Sequence, residues 1–421
     1  MSREQTTDVL VVGAGPAGCA AAITLAQLGR EVTLVERSTF PRYHVGESLL
    51  PYCWWTLERL GVLPAITSAA FQVKRSVQFV TPEGRLSSPF YFHHHSDHPS
   101  ATTWQVDRAS FDNLLLERAI ELGVKVYTDT RAQRLIEDET GAVAGAVVLH
   151  KGERLHIRSR MMIDASGRDG FVRGQRGWRE AEPALQRVAL WTYFDGATRD
   201  DGDDEGATTV VKLPRDGWFW WIPLSNGRVS VGVVTQRDEL FHAARDRATA
   251  FESMVHQNPW VAKRLRHAQQ VGPLRVTSDY SYRSRYCADD GVVLAGDAFA
   301  FLDPVFSSGV FLALRTGEEA ANAVHAALER DTNAASAFEF YGHWVCRGME
   351  AMRALVFSFY DPEFSMGQLI RAHPDLKDDV TDLLIGNLFR DYDALFSALA
   401  QVGTLPPQLT YGRAAEGRTV A

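Results

Sequence analysis

The stretch from Asp8 to Glu36 constrains this chain more than any other. It reads Asp8-Val-Leu-Val-Val-Gly13-Ala-Gly15-Pro16-Ala17-Gly18-Cys19, then an Ala-rich segment to Gly29, then Glu31-Val-Thr-Leu-Val-Glu36. Asp8 to Val12 is a short, β-branched, apolar run of the kind buried in a parallel sheet. Gly13, Gly15 and Gly18 form G-x-G-x-x-G at a strand-to-helix turn. The first glycine allows the tight turn, the second lets a pyrophosphate approach the backbone, and the third lets the helix pack on the sheet. The helix that Pro16 and Ala17 open directs free N–H groups and its positive dipole end at those phosphates. Glu36 closes the second strand near the spacing at which an acid holds an adenosine ribose. A lone glycine pattern is weak evidence, but here strand, helix, second strand and terminal acid stand in register. The reading is a dinucleotide-binding βαβ unit.

With 421 residues the chain has room for two or three domains. Its net charge of −8 argues against a nucleic-acid-binding surface. Met1 to Thr7 lacks the apolar core of a secretory leader, and no run approaches the roughly 20 apolar residues of a membrane span. Cys19, Cys53, Cys287 and Cys346 are scattered without C-x-x-C spacing, which points to a reducing cytoplasm and to no zinc site.

Beyond Glu36, two prolines and a glycine make Arg37 to Pro51 a loop passing the cofactor. Arg37 and Arg42 are candidates to meet a phosphate there, and Ser48 to donate to a ring oxygen. Trp54 to Leu63 reads as a helix and Val73 to Val80 as one strand. Phe90 to His98 carries His93, His94, His95 and His98, but all lie on one short polar loop, which argues for an imidazole-rich loop above a pocket and against a metal site. A helix from Ala109 to Leu122 ends at Gly123. Val124 to Tyr127, Ala142 to Leu149 and Met161 to Ile163 read as strands, and Val188 to Phe194 and Val229 to Thr235 suit a second, more antiparallel sheet. Arg199 to Glu205 reads as a solvated acidic turn, since it lacks a calcium-loop pattern.

Gly291-Val-Val-Leu-Ala-Gly296-Asp297-Ala298 is a second buried strand ending in Gly-Asp, followed by a loop through Pro304 and a long helix from Val310 to Glu329. The cofactor fold is therefore discontinuous. Residues 1–75, 104–187 and 278–330 are expected to form it, 76–103 and 188–277 an inserted substrate sheet, and 331–421 a helical C-terminal region. Within that region Ala335 to Tyr360, Met366 to Ala372 and Lys377 to Ala400 read as helices, with a disordered tail after Pro407. The expected fold class is α/β: a Rossmann-like cofactor domain, an inserted mainly antiparallel sheet and C-terminal helices.

Gly13 to Gly18, Glu36, Gln105-Val-x-Arg108 and Gly296-Asp297 together resemble the glutathione-reductase-type FAD fold of the flavin monooxygenase superfamily. That resemblance implies Asp297 on the ribityl hydroxyls of FAD and Arg108 as a cofactor-binding residue. Three further stretches are similar to the flavin-dependent halogenases, and to their phenol- and pyrrole-type subgroup. Gly217-Trp218-Phe219-Trp220-Trp221-Ile222-Pro223 matches G-W-x-W-x-I-P. Lys74 in Ala70-Phe-Gln-Val-Lys-Arg75 resembles the segment carrying the family's essential lysine. Phe301-x-Asp303-Pro304-x-Phe306-Ser307-Ser308-Gly309 resembles its flavin-side halide loop.

The resemblance implies an enzyme that receives FADH2 from a separate flavin reductase and uses O2 and chloride or bromide to form a hypohalous acid. Lys74 would direct that species at an electron-rich aromatic ring, free or tethered to a carrier protein. Backbone N–H groups of Ser308 and Gly309 would hold the halide, with Pro304 beside the flavin. Trp218, Trp220, Trp221, Ile222, Pro223 and Phe306 would wall the route. Tryptophan-type members carry a glutamate where this chain has Phe306, which points to phenol or pyrrole substrates. The alternatives are a geranylgeranyl-reductase-like flavoenzyme, an aromatic hydroxylase, and a flavin-binding scaffold without halogenation.

Overall fold

The computed structural model describes residues 3–241, 246–278, 281–330, 334–361 and 364–409. The tail expected after Pro407 falls almost wholly outside them. The first strand runs Arg3–Val12, longer than its apolar stretch, because Arg3 to Thr7 pair in parallel register with Leu155 to Ser159. It lies between Val32–Val35 and Glu153–Asp164, and Val292–Leu294 joins the far side of the latter. These four strands are parallel, so the late Gly-Asp strand does return to the opening βαβ unit. Helix Pro16–Gln27 crosses behind them and packs on helix Gly309–Arg330. A Cβ on Gly317 would sit 2.1 Å from the Ala17 carbonyl oxygen, so only glycine permits that approach.

The second sheet has seven strands in the order Gln269–Ser278, Val188–Asp195, Val229–Thr235, Gly217–Pro223, Thr208–Lys212, Ser76–Val80, Phe90–Tyr91. All pairs are antiparallel except Thr208–Lys212 with Ser76–Val80. Side chains alternate between its faces. One face carries Ala189, Trp191, Val210, Trp218, Trp220 and Ile222 and packs against Val305, Phe306 and Tyr360. The other carries Leu190, Val211, Phe219 and Trp221 and is covered by helices Arg247–His256 and Pro259–Leu265.

Three expected elements are divided. The strand read as Val73 to Val80 breaks at Arg75: Gln72–Lys74 pairs with Thr103–Gln105 in a separate ribbon, while Ser76–Val80 joins the large sheet. Apolar alternation continues across the break, which hid it. The helix read as Lys377 to Ala400 is two, Lys377–Ile385 and Asp393–Val402, the first ended by Gly386 at φ +103. The helix read as Trp54 to Leu63 closes at Arg59, and a second begins at Leu63.

Candidate active site

The glycine turn forms a crevice with three distinct roles. A Cβ on Gly13 would lie 2.4 Å from the Ala165 carbonyl oxygen, and one on Gly18 would lie 1.8 Å from that of Gly13, so both are fixed by packing. A Cβ on Gly15 would meet only Arg42, at 3.6 Å from Nη2. Gly15 is thus glycine for something other than the protein's own packing. The Glu36 carboxylate accepts from the N–H groups of Ala14 at 2.9 Å and Ser38 at 2.8 Å. Arg42 lies between Glu36 and Asp112, yet its buried Nη1 makes no well-directed hydrogen bond. Arg37 is exposed and pairs with Asp169.

Arg108 is buried, clasps Asp112 with Nε at 2.8 Å and Nη2 at 3.0 Å, and donates to the carbonyl of Val45 at 3.0 Å. Gly296 adopts φ +58, and a Cβ there would crowd Ala17 at 3.0 Å. Beside it, burial pushes the Asp297 carboxyl up to about 6, against the pull of Arg168, Arg108 and Arg173. No described protein group donates to that carboxylate.

Lys74 ends its short strand fully buried. Its Nζ donates to Ser48 Oγ at 2.9 Å and to the Leu49 carbonyl at 3.0 Å, and stands 5.5 Å from the Phe92 ring centroid. Burial pushes its pKa down to about 7. Ser48 Oγ also lies 2.8 Å from Thr208 Oγ1, to which Gln105 donates at 2.8 Å. Ser48, expected on the cofactor, sits in the lysine cluster, where its backbone forms a strand-like bridge with Gln105.

The acidic turn read as solvated contributes to the same cluster. Ser76 donates to Asp204 at 2.6 Å, Tyr91 to its other oxygen at 2.9 Å, and Arg199 to Gln72 at 2.6 Å. A Cβ on Gly206 would fall 1.8 Å from the Val73 carbonyl oxygen. The histidines of residues 93–98 stack on aromatic neighbours, His95 on Phe90 and His98 on Trp55.

Sequence reasoning also missed Glu47. This carboxylate is 2% exposed, accepts from Tyr193 at 2.6 Å and Ser230 at 3.2 Å, and has its pKa raised by burial. Its signal was an acid beside Ser48 in an otherwise apolar stretch.

Strand Gly217–Pro223 does not present all its tryptophans to one side. Trp218, Trp220 and Ile222 face the cofactor portion, but Trp221 points the other way and meets Trp260 edge-on at 5.3 Å. Pro223 follows Trp221 by strand alternation. Two of the expected wall residues are therefore misassigned: the motif spans both faces of a strand.

At one end of that strand, Trp218 Nε1 donates to Tyr360 at 2.9 Å, and Tyr360 donates to Asp303 Oδ2 at 2.8 Å. Asp303 Oδ1 in turn accepts the N–H of Val305 at 3.1 Å, capping the turn Pro304–Phe306. Ser307 follows at φ +57, Ser308 is buried, and Gly309 opens the long helix on its exposed side. At the other end, the register Thr209 to Trp221 brings Ile222 level with Thr208, and so with Ser48 and Lys74. Four residues of strand, about 13 Å, separate the two ends.

A tryptophan halogenase family model matches residues 8–97 and 83–364. The chain is 32% identical to a 1H-pyrrole-2-carbonyl-[peptidyl-carrier protein] brominase of Pseudoalteromonas luteoviolacea, covering 92% of this chain and 94% of that one. The chain belongs to the flavin-dependent halogenases. It is also 35% identical to a tryptophan 2-halogenase of Chondromyces crocatus, over 86% of this chain and 69% of that one. The solved structure of the flavin-dependent brominase Bmp2 superposes with a TM-score of 0.84 at 28% identity, covering 94% of this chain and 98% of that one.

The cofactor of this halogenase is FAD, with chloride or bromide as co-substrate. The crevice fits it: Gly15 leaves an unfilled approach to backbone, Arg42 Nη1 is buried without a well-directed hydrogen bond, and among the described residues none donates to the Asp297 carboxylate. Among the described residues, no helix is long and apolar enough to cross a membrane.

Proposed function

We propose that Lys74 delivers electrophilic halogen to an electron-rich phenol or pyrrole. When bound, reduced FAD supplies the oxidising chemistry with O2 that turns halide into hypohalous acid. Gly13, Gly15, Pro16, Ala17, Gly18, Glu36, Arg42, Arg108, Gly296, Asp297 and Pro304 are assigned to holding it, with Arg37 at the exposed margin. Ser308 and Gly309 are assigned to the halide. Trp218, Trp220, Ile222 and Phe306 line the passage and exclude water from it. At the far end, burial lowers the amine to about 7, so a neutral fraction is present near neutral pH. Two of its positions are engaged by Ser48 and Leu49, and the remaining one carries a proton or a lone pair toward the ring.

The observation that carries the reading is the single strand spanning the Asp303–Gly309 loop at Trp218 and the Lys74 cluster at Ile222. The division into a discontinuous cofactor domain, an inserted sheet and a helical C-terminal region belongs to the same reading. Reduced flavin is assigned to a separate reductase, because no second G-x-G-x-x-G follows in the sequence for a nicotinamide cofactor. A cytoplasmic location accords with four buried, unpaired cysteines.

The substrate class rests on the pyrrole-acting relative of nearly equal length and on Phe306 in place of the tryptophan-type glutamate. The tryptophan 2-halogenase relative supports a second reading, an indole. The test is mass spectrometry after incubation with a flavin reductase, NADH and chloride or bromide. Free phenols, carrier-bound pyrroles and tryptophan form the panel. A halogen isotope pattern on a phenol or pyrrole is expected. Halogenated tryptophan alone would replace the substrate assignment, and hydroxylated product without halogen would overturn the reaction.

A further inference from the structure

Lys74 is fully buried, and most of the neighbours that hold it are fixed by backbone pairing or hydrogen bonds. Ser48 and the Leu49 carbonyl hold its Nζ, Thr103 pairs with its backbone, and Gly206 abuts the preceding peptide. The Phe92 ring, 1% exposed, lies 5.5 Å from Nζ, and Cys53 is a further buried neighbour. The backbone of Phe92 is itself anchored, its N–H donating to the Arg75 carbonyl at 3.0 Å while Tyr91 pairs with Ser76. Beyond it, residues 93–99 are exposed. Rotation of this ring toward the exposed segment would uncover Lys74 while the Ser76–Tyr91 pairing is kept.

We propose that Phe92 is a specificity-determining residue: its ring covers Lys74 in the resting protein, and an acceptor ring reaches the amine by taking its place. This rests on the assignment of Lys74 above. A space vacated by one phenyl group accommodates a single aromatic ring, so the parent protein selects monocyclic phenols or pyrroles over fused bicyclic ones. The exposed His93 to His95, next in the chain, would then border the entrance.

The test separates exposure of Lys74 from turnover. Lys74 in the FAD-loaded protein is acylated with an N-hydroxysuccinimide ester at a pH of about 8, above the value of about 7 to which burial lowers it, and followed by peptide mass spectrometry. The exposed Lys125, Lys151, Lys263 and Lys377 serve as internal controls. Phe92→Ala should accelerate Lys74 acylation by about tenfold or more without changing the controls, whereas Phe92→Tyr should stay near the parent. In parallel, the ratio of kcat/KM for a bicyclic over a monocyclic phenol should rise about tenfold in Phe92→Ala.

Unchanged Lys74 acylation in a folded Phe92→Ala protein would overturn the proposal. If all lysines accelerate together the variant has loosened, and Phe92→Leu decides: Lys74 must then accelerate alone, or the cover is refuted. An uncovered Lys74 with unaltered selectivity would also refute the specificity role. Uncovering of Lys74 in a protein whose parent halogenates nothing would leave the cover standing and remove the assignment of Lys74.

Discussion

The glycine crevice and the lysine cluster are built differently. The crevice takes three glycines, a helix and Glu36 from one unbroken stretch, Gly13 to Glu36, and adds Arg42, Arg108, Gly296 and Asp297 around it. The cluster draws on Glu47 to Leu49, Gln72 to Ser76, Phe92, Gln105 and the turn from Asp204 to Thr208. A local unit fails when one residue blocks the ligand, whereas an assembled one fails through any of its distant supports. Substitutions that damage one and spare the other test this contrast.

Gly15→Val should have the largest effect. The position has room by the protein's own packing, since a Cβ meets nothing closer than Arg42 at 3.6 Å. The variant should fold and lose FAD, measured as flavin absorbance after gel filtration, and every activity with it. A Gly15→Val protein that retains FAD would break the assignment of the crevice.

Lys74→Ala should do the reverse. FAD affinity and NADH consumption with a reductase should stay near the parent, while halogenated product falls about 100-fold or more. Arginine should not rescue, because its guanidinium stays protonated. Halogenation by Lys74→Ala within a few-fold of the parent would remove Lys74 from the mechanism.

The contrast also explains what could be read in advance. The βαβ unit was legible because turn, helix and acid follow one another at fixed spacing. The Gly296-Asp297 strand was legible because a short apolar run ends in a charged residue. The break at Arg75 was not, since alternation continues through two strands that belong to different sheets. Nor was the role of Asp204, whose partners Ser76 and Tyr91 lie more than 100 positions away. Trp221 was misread because a motif gives spacing, while the face of each residue follows from strand alternation.

Stability should sharpen the comparison by a few kcal/mol. Burial lowers Lys74 from 10.5 to about 7, so between those values the unfolded chain binds the extra proton. The parent therefore gains stability as pH rises through that window, and carries the full cost of a buried ammonium below it. Lys74→Met removes the amine. Its advantage over the parent should be greatest below pH 7 and shrink by about 1.4 kcal/mol for each pH unit above that. Urea unfolding at several pH values measures this, and a pH-independent difference would show that the amine titrates normally.

The smallest effect separates the two faces of one strand. Trp218 Nε1 donates to Tyr360, which holds the Asp303 cap of the Pro304–Phe306 turn. Trp221 Nε1 is buried on the opposite face without a partner. Phenylalanine at 218 removes a used donor and leaves the Tyr360 oxygen short of one hydrogen bond, a loss of about 1 kcal/mol. If that chain positions the loop, halogenation should fall about fivefold and the apparent KM for halide should rise. Phenylalanine at 221 removes an unsatisfied donor but leaves a small cavity against Trp260, so halogenation should stay at the parent level while stability falls by about 1–2 kcal/mol. Steady-state rates over a bromide series, measured on both variants, check the pair. Equal losses at 218 and 221 would mean that the motif acts as bulk packing, with neither face tied to the Asp303–Gly309 loop.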